Sequence, residues 1–176
     1  MKNTVVLGVT GSIAAYKAAD LTSQLVKKGM DVVVIMTASS QKLVCPQTFL
    51  TLSRNTVITD LWTMPEWQPG HIELSDRAKL LVIAPCTANF IGKLANGIAD
   101  DALSTYALSH TGKILVVPAM NPKMWKNPAV QQNVKILKGR GVEFIGPVSG
   151  RVVCGDDGEG RMEDVSAILA KILNEL

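Results

Sequence analysis

Asn121, His71 and Cys154 are side chains of types that do chemistry, each in a setting that could use it. Asn121 lies within Pro118-Ala119-Met120-Asn121-Pro122-Lys123-Met124-Trp125, where prolines on both sides restrict the backbone. Its side chain brings an amide donor and a carbonyl acceptor to that turn, and Met120, Met124 and Trp125 supply apolar walls. On residue chemistry alone the stretch reads either as a binding loop or as a proline-rich connection with ordinary core side chains. His71 follows Pro69-Gly70 and opens the segment His71-Ile72-Glu73-Leu74-Ser75. An imidazole with an ordinary pKa near ~6.5 is the best neutral-pH proton acceptor in the chain, although a lone histidine can equally be structural. Cys154 stands between Gly146 and Arg161, a stretch with five glycines and the arginines Arg151 and Arg161. Glycines at that density predict no regular structure. The segment is then either a surface loop or a flap that brings a thiol and two cations over an anionic substrate.

The elements that must position these groups alternate. Apolar runs at residues 4–9, 31–36, 80–84 and 113–118 read as buried strands, and 142–145 as a short last one. Helical stripes follow: Ala14, Ala18, Leu21 and Leu25, stopped by Gly29; Ile91, Leu94, Ala95 and Ile98; and Val130, Val134 and Leu137 behind Asn127-Pro128. Asp100 or Asp101 caps a further helix running through Ala107, and His110 after it reads as a C-terminal charge or cap. A short helix from Pro46, a short strand at 56–58, a Trp-bearing loop at 61–70 and an amphipathic helix behind Asp164 complete the pattern. Strands alternating with helices predict an α/β fold, a three-layer doubly wound parallel sheet whose carboxyl edge binds ligands. Asn121 follows one such strand end.

Two strand-to-helix turns share that edge. Gly8-Val9-Thr10-Gly11-Ser12-Ile13-Ala14 is a glycine turn entering a helix, the usual anion cradle. It is neither a Walker loop nor the GxGxxG of dinucleotide enzymes. Pro85-Cys86-Thr87-Ala88-Asn89-Phe90 is the second. The strand at 31–36 ends in Thr37-Ala38-Ser39-Ser40, without the acid that holds an adenosine ribose. Hydroxyls there suit a phosphate or a flavin edge and favour FMN over NAD.

Composition removes other classes. The 176 residues suit one domain, 1–176, able to bury a real core. Apolar residues reach 47%, but no run approaches the ~18 that span a membrane, and no signal peptide is expected. A net charge of +3, with no basic block, gives no footing for nucleic acid. Three scattered cysteines and two histidines, with no CxxC or HExxH, indicate a reducing, cytoplasmic setting and no metal site.

Residues 118–125 are similar at every fixed position to Pro-x-Met-Asn-x-x-Met-Trp, the substrate-recognition signature of the flavin-dependent cysteine decarboxylases. Residues 85–90 resemble that family's flavin motif, departing at Cys86 and Phe90, where a small residue and threonine are more usual; Asn96-Gly97-Ile98-Ala99-Asp100-Asp101 continues the likeness. Gly150-Arg151-Val152-Val153-Cys154-Gly155 and Gly158-Glu159-Gly160-Arg161-Met162 resemble the family's coenzyme A branch, with Val153 in place of the usual alanine. The lantibiotic peptidyl-cysteine branch lacks that cysteine.

The resemblance implies a Rossmann-like or flavodoxin-like flavoprotein that binds FMN and decarboxylates 4'-phosphopantothenoylcysteine to 4'-phosphopantetheine. In that chemistry the substrate's cysteine is oxidised to a thioaldehyde, CO2 leaves, and the enethiolate is reduced again. By the same resemblance His71 assists thiol deprotonation, Asn121 holds the substrate carboxylate and amide, and Cys154 donates a proton at carbon. Gly11, Ser12, Ile13, Thr37, Cys86, Thr87, Ala88, Asn89 and Ala119 contact FMN. Met124, Arg151 and Val153, with Asn121, contact the substrate, whose phosphate could find Lys123. The likeness also implies a homo-oligomer, a trimer or higher, and a separately encoded phosphopantothenate–cysteine ligase as partner to a stand-alone decarboxylase. Two alternatives belong to the same family: a lantibiotic-type peptidyl-cysteine decarboxylase and a non-catalytic regulatory flavoprotein.

Overall fold

The computed structural model describes residues 3–62, 74–75, 77–151 and 157–176, with the side chains of Arg151 and Asp157 left out. His71, Val153 and Cys154 therefore lie outside the described residues, as does most of the Trp-bearing loop. Five parallel strands form the central sheet: β1 (Thr4–Val9), β2 (Asp31–Met36), β3 (Ala78–Cys86), β4 (Lys113–Pro118) and β5 (Glu143–Phe144), in the order β2-β1-β3-β4-β5. That order reverses direction between β1 and β3, which is the doubly wound flavodoxin-like arrangement with its crevice at the reversal.

Successive side chains of a strand point to opposite faces, so the apolar runs serve two cores. Val5, Leu7 and Val9 join Val32, Val34 and Met36 on one face, under α1 (Ala15–Lys27) and α7 (Val165–Glu175). Leu21 and Leu25 of α1 and Ile168 and Ile172 of α7 are fully buried there, each contributing about 1.5–3 kcal/mol. Val6, Leu81 and Ile83 line the other face. Over it lie α3 (Ala88–Asn96), α4 (Ala102–Ser109) and α6 (Pro128–Gly139), through Phe90, Ile91, Leu103, Tyr106, Val134 and Leu137. Gly8 has a packing reason: a Cβ there would stand 2.6 Å from Leu103 Cδ1, so its absence lets α4 sit close on β1. These two layers and the sheet are the three-layer α/β architecture.

Several local expectations change. Ile98 is not inward: Gly97, at φ 69°, ends α3 in the left-handed conformation, and Ile98 beyond it is 46% exposed. Residues 56–58 contribute only a single bridge, Ile58 to Ile35. Asp101 rather than Asp100 caps α4, in a box with Ser104, while Lys93 pairs with both acids. The glycine-rich stretch is not devoid of regular structure. Val148–Arg151 (β6) and Asp157–Arg161 (β7) form an antiparallel pair in which Gly150 faces Gly158. At the opposite edge of the molecule Glu175, one residue from the end of the chain, bonds to Lys113 Nζ at 2.6 Å where β4 begins, and Lys171 bridges it to Glu143.

His110 is the C-cap residue of α4, its N–H bonding to the Tyr106 carbonyl, so of the two readings the cap holds and the charge does not. It is buried, its Nε2 lies 3.2 Å from the Lys113 carbonyl, and its Nδ1 lies 3.2 Å from the Tyr106 hydroxyl. A carbonyl only accepts, so Nε2 carries the proton and Nδ1 accepts from tyrosine. Burial holds the pKa below the ordinary histidine value. The unfolded chain thus takes up a proton first as pH falls below about 6.5, and the native state loses stability there. The urea midpoint of the wild type is expected to drop between about pH 7.5 and 5.5 more steeply than that of His110→Gln; parallel slopes would remove His110 from the account.

Candidate active site at the carboxyl edge of the sheet

Thr10 joins the two strand ends that flank the reversal. Its buried hydroxyl donates to the Pro85 carbonyl at 2.8 Å and accepts from Thr87 N–H at 3.0 Å. The turn after β1 is thereby locked to the turn after β3. Beyond it Ser12 N–H bonds to the Thr10 carbonyl, and the Ser12 carbonyl accepts from Ala15 at the start of α1. The turn after β2 presses against the same place: a Cβ on Gly11 would stand 2.5 Å from Ser39 Cβ. Ser40 is buried beneath it, its hydroxyl donating to the Thr37 carbonyl at 2.8 Å.

Asn121 follows β4. Its Oδ1 accepts from Lys123 N–H at 2.8 Å and caps α5 (Pro122–Trp125), with Pro122 at the first helical position. Trp125 is buried, and Gln131 Nε2 donates to its carbonyl at 2.6 Å, tying the short helix to α6. The turn is anchored at both ends, so the Asn121 side chain has a set direction.

These turns enclose a pocket of about 630 Å³. Gly11, Ser12 and Ile13 line it from the first turn, Thr87 and Ala88 from the second, and Ala119, Asn121 and Met124 from the third. Gly160, Arg161 and Met162 close it from β7 and just beyond. Eight of the predicted contact residues therefore converge. Thr37, Cys86 and Asn89 do not line the pocket. Asn89 is exposed on the first turn of α3, and Thr37 is half-buried, its Oγ1 accepting from Ser40 N–H at 3.3 Å. The Cys86 side chain turns away from the pocket. It is fully buried in the core under α3 and α4, and burial pushes its thiol pKa well above the ordinary range. Only its backbone serves the edge, accepting from Ala119 N–H at 2.9 Å.

The pocket also holds Lys17 and Tyr16, which the motif reading passed over. Among the described residues Lys17 and Arg161 are its lining cations, and both approach one carboxylate oxygen of Asp164, at 3.7 and 3.8 Å. Lys123 is not among the lining residues. Lys17 is the third residue of α1, just past the glycine turn, a position readable from the sequence. Tyr16 adds an apolar rim, 64% exposed.

A parallel sheet with hydroxyl- and amide-bearing turns at its reversal, opening on a part-apolar pocket with two cations, defines a nucleotide- or flavin-binding α/β protein. The whole chain, residues 1–176, matches the family described as Flavoprotein. The chain belongs to that flavoprotein family, and its cofactor is a flavin. It is 48% identical over 168 residues to the coenzyme A biosynthesis bifunctional protein CoaBC of Bacillus subtilis, covering 94% of this chain and 41% of that protein. The chain thus spans about two fifths of that relative. It is 40% identical over 181 residues to a probable phosphopantothenoylcysteine decarboxylase of Streptococcus mutans, with 100% of both chains covered. Among solved structures, a PPC decarboxylase cysteine-to-serine mutant complexed with pantothenoylaminoethenethiol superposes with a TM-score of 0.88, at 30% identity over 99% of this chain and 98% of that one.

Proposed function

We propose that this chain uses FMN to decarboxylate 4'-phosphopantothenoylcysteine to 4'-phosphopantetheine in coenzyme A biosynthesis, with residues 1–176 as one catalytic domain. The observation that carries this reading is the convergence of the capped Asn121 turn with the turns after β1 and β3 on one pocket. The residues suit FMN. The pocket has room for a tricyclic ring, the first turn of α1 carries no acidic residue, and hydroxyls rather than an acid end β2. When bound, the flavin supplies the redox chemistry, taking a hydride from substrate and returning it.

The chain's own groups bind substrate and manage protons. Asn121 holds the carboxylate and amide, and Met124 packs beside them. Lys17 and Arg161 make the pocket favourable for a phosphate. His71 takes the thiol proton, and Cys154 gives a proton to the carbon that CO2 has left. Arg151 and Val153 cover the substrate from the same segment as Cys154. The relative with a matching length and the mutant complex described above support this substrate class. The enzyme works in the cytoplasm as a homo-oligomer, a trimer or higher. The exposed Ile13, Tyr16 and Trp62 give such an assembly apolar surface.

The test is direct. The purified protein is expected to be yellow with flavin bands, and to convert phosphopantothenoylcysteine to a product lighter by CO2, read by mass spectrometry. Cys154→Ser is expected to release CO2 but accumulate the oxidised enethiol. Protein that takes up no FMN overturns the reading, conversion of C-terminal cysteine peptides alone moves it to the peptidyl branch, and normal phosphopantetheine from the serine variant removes Cys154 from the mechanism.

A further inference from the structure

β7 lies on the recognition turn backbone against backbone. Met120 N–H donates to the Gly160 carbonyl at 2.9 Å. A Cβ on Gly160 would overlap the Met120 carbonyl oxygen and stand 3.1 Å from Pro122 N and 3.3 Å from the Asn121 carbonyl carbon. All three neighbours are main chain on an anchored turn, so none can swing aside as a flexible side-chain tip would. Two residues earlier on the strand, a Cβ on Gly158 would reach Pro122 Cβ at 3.0 Å. Directly after Gly160, Arg161 and Met162 enter the pocket wall, and Met162 is buried in the core below α1. The strand is thus pinned at Met162 and pressed flat at Gly160.

We propose that Gly160 is a positioning residue: its missing side chain lets β7 dock directly on the Met120–Asn121–Pro122 backbone and sets the Arg161 side of the pocket against the Asn121 side. The two walls come from segments forty positions apart and share one hydrogen bond and one bare contact. A side chain at 160 forces them apart. Ligand groups that must meet Asn121 and Arg161 together then meet only one. This rests on the reading that the pocket takes the cysteine substrate, but the docking itself does not.

Hydrogen exchange read by mass spectrometry on the flavin-loaded protein tests the docking, using the peptide that contains Met120. In Gly160→Ala this peptide is expected to lose protection, while Gly139→Ala, whose Cβ meets nothing within 4 Å, leaves it unchanged. Gly158→Ala, whose Cβ meets Pro122 Cβ at 3.0 Å on a backbone at φ 152°, strains β7 itself as well as its docking, is expected to lower protection at Met120 too, and serves should the first variant fold poorly. Steady-state assays test the positioning: Gly160→Ala is expected to lose about tenfold or more in kcat/KM, with the flavin spectrum near wild type and the melting temperature lowered by the overlap. Unchanged protection at Met120 overturns the docking. Lost protection with wild-type kcat/KM overturns the positioning role. A wild type that turns over no cysteine substrate defeats the proposed function instead, and leaves the exchange result standing.

Discussion

Asn121→Ala lowers kcat/KM for the cysteine substrate by a factor on the order of 10²–10³, the usual loss when one preorganised donor is taken from a reacting site. Two effects are mixed in that variant. In the proposed function the carboxamide holds the substrate carboxylate, while its Oδ1 caps α5 through Lys123 N–H. Loss of a cap costs about 1 kcal/mol of local stability, and the four-residue α5 has little else to define its start. Asn121→Asp separates the two. Aspartate caps as well as asparagine, so the turn and the thermal midpoint are expected to return to wild type. It cannot donate to a carboxylate and repels one, so kcat/KM is expected to stay down. Recovery of activity in the aspartate variant would mean that Asn121 works only as a cap. Product analysis by mass spectrometry together with thermal unfolding reads both arms.

Thr10→Val removes the hydroxyl at the reversal of the sheet and keeps the side chain's shape. The Pro85 carbonyl retains a partner in Thr10 N–H at 3.3 Å, but Thr87 N–H loses the oxygen it bonds at 3.0 Å. A backbone donor stranded in this way costs about 1–3 kcal/mol, and the expected loss of unfolding free energy is about 2 kcal/mol. The larger consequence is local. The turns carrying Ser12 and Thr87 are no longer locked, so FMN affinity is expected to fall by more than global stability implies. Thr10→Ser, which keeps the oxygen, is expected to restore both. Urea unfolding with a flavin titration checks this, and FMN affinity unchanged in the valine variant would show that the turns are held by other contacts.

Much of this architecture was readable from residue order because buried parallel strands are uninterrupted apolar runs and their helices carry one-sided stripes. β1, β2 and β4 have the predicted bounds, and the Asn121, Ser12 and Thr87 turns fall at one edge because strand direction alone sends them there. Cys86 could not be placed in this way. The pairing of β3 with β4 shifts register between Ile83 and Cys86, and the alternation of faces breaks at a point no local pattern marks. Ile98 departs from the helical stripe because the glycine before it ends the helix. Glycine density signals a loop, whereas in the β6–β7 pair the glycines let two backbones touch. That reason is non-local and has no counterpart in periodicity. Lys17 was legible but unread, since a lysine on a helix is ordinarily a solvated charge.

The ion pair between Glu175 and Lys113 has an architectural corollary. It fastens the tail of α7 to the amino-terminal rim of the sheet, whereas the pocket opens at the carboxyl rim. Anything joined after Leu176, such as the remaining part of the longer relatives, would depart from the far side of the molecule. A second catalytic unit could be appended there without crowding the mouth through which the substrate enters.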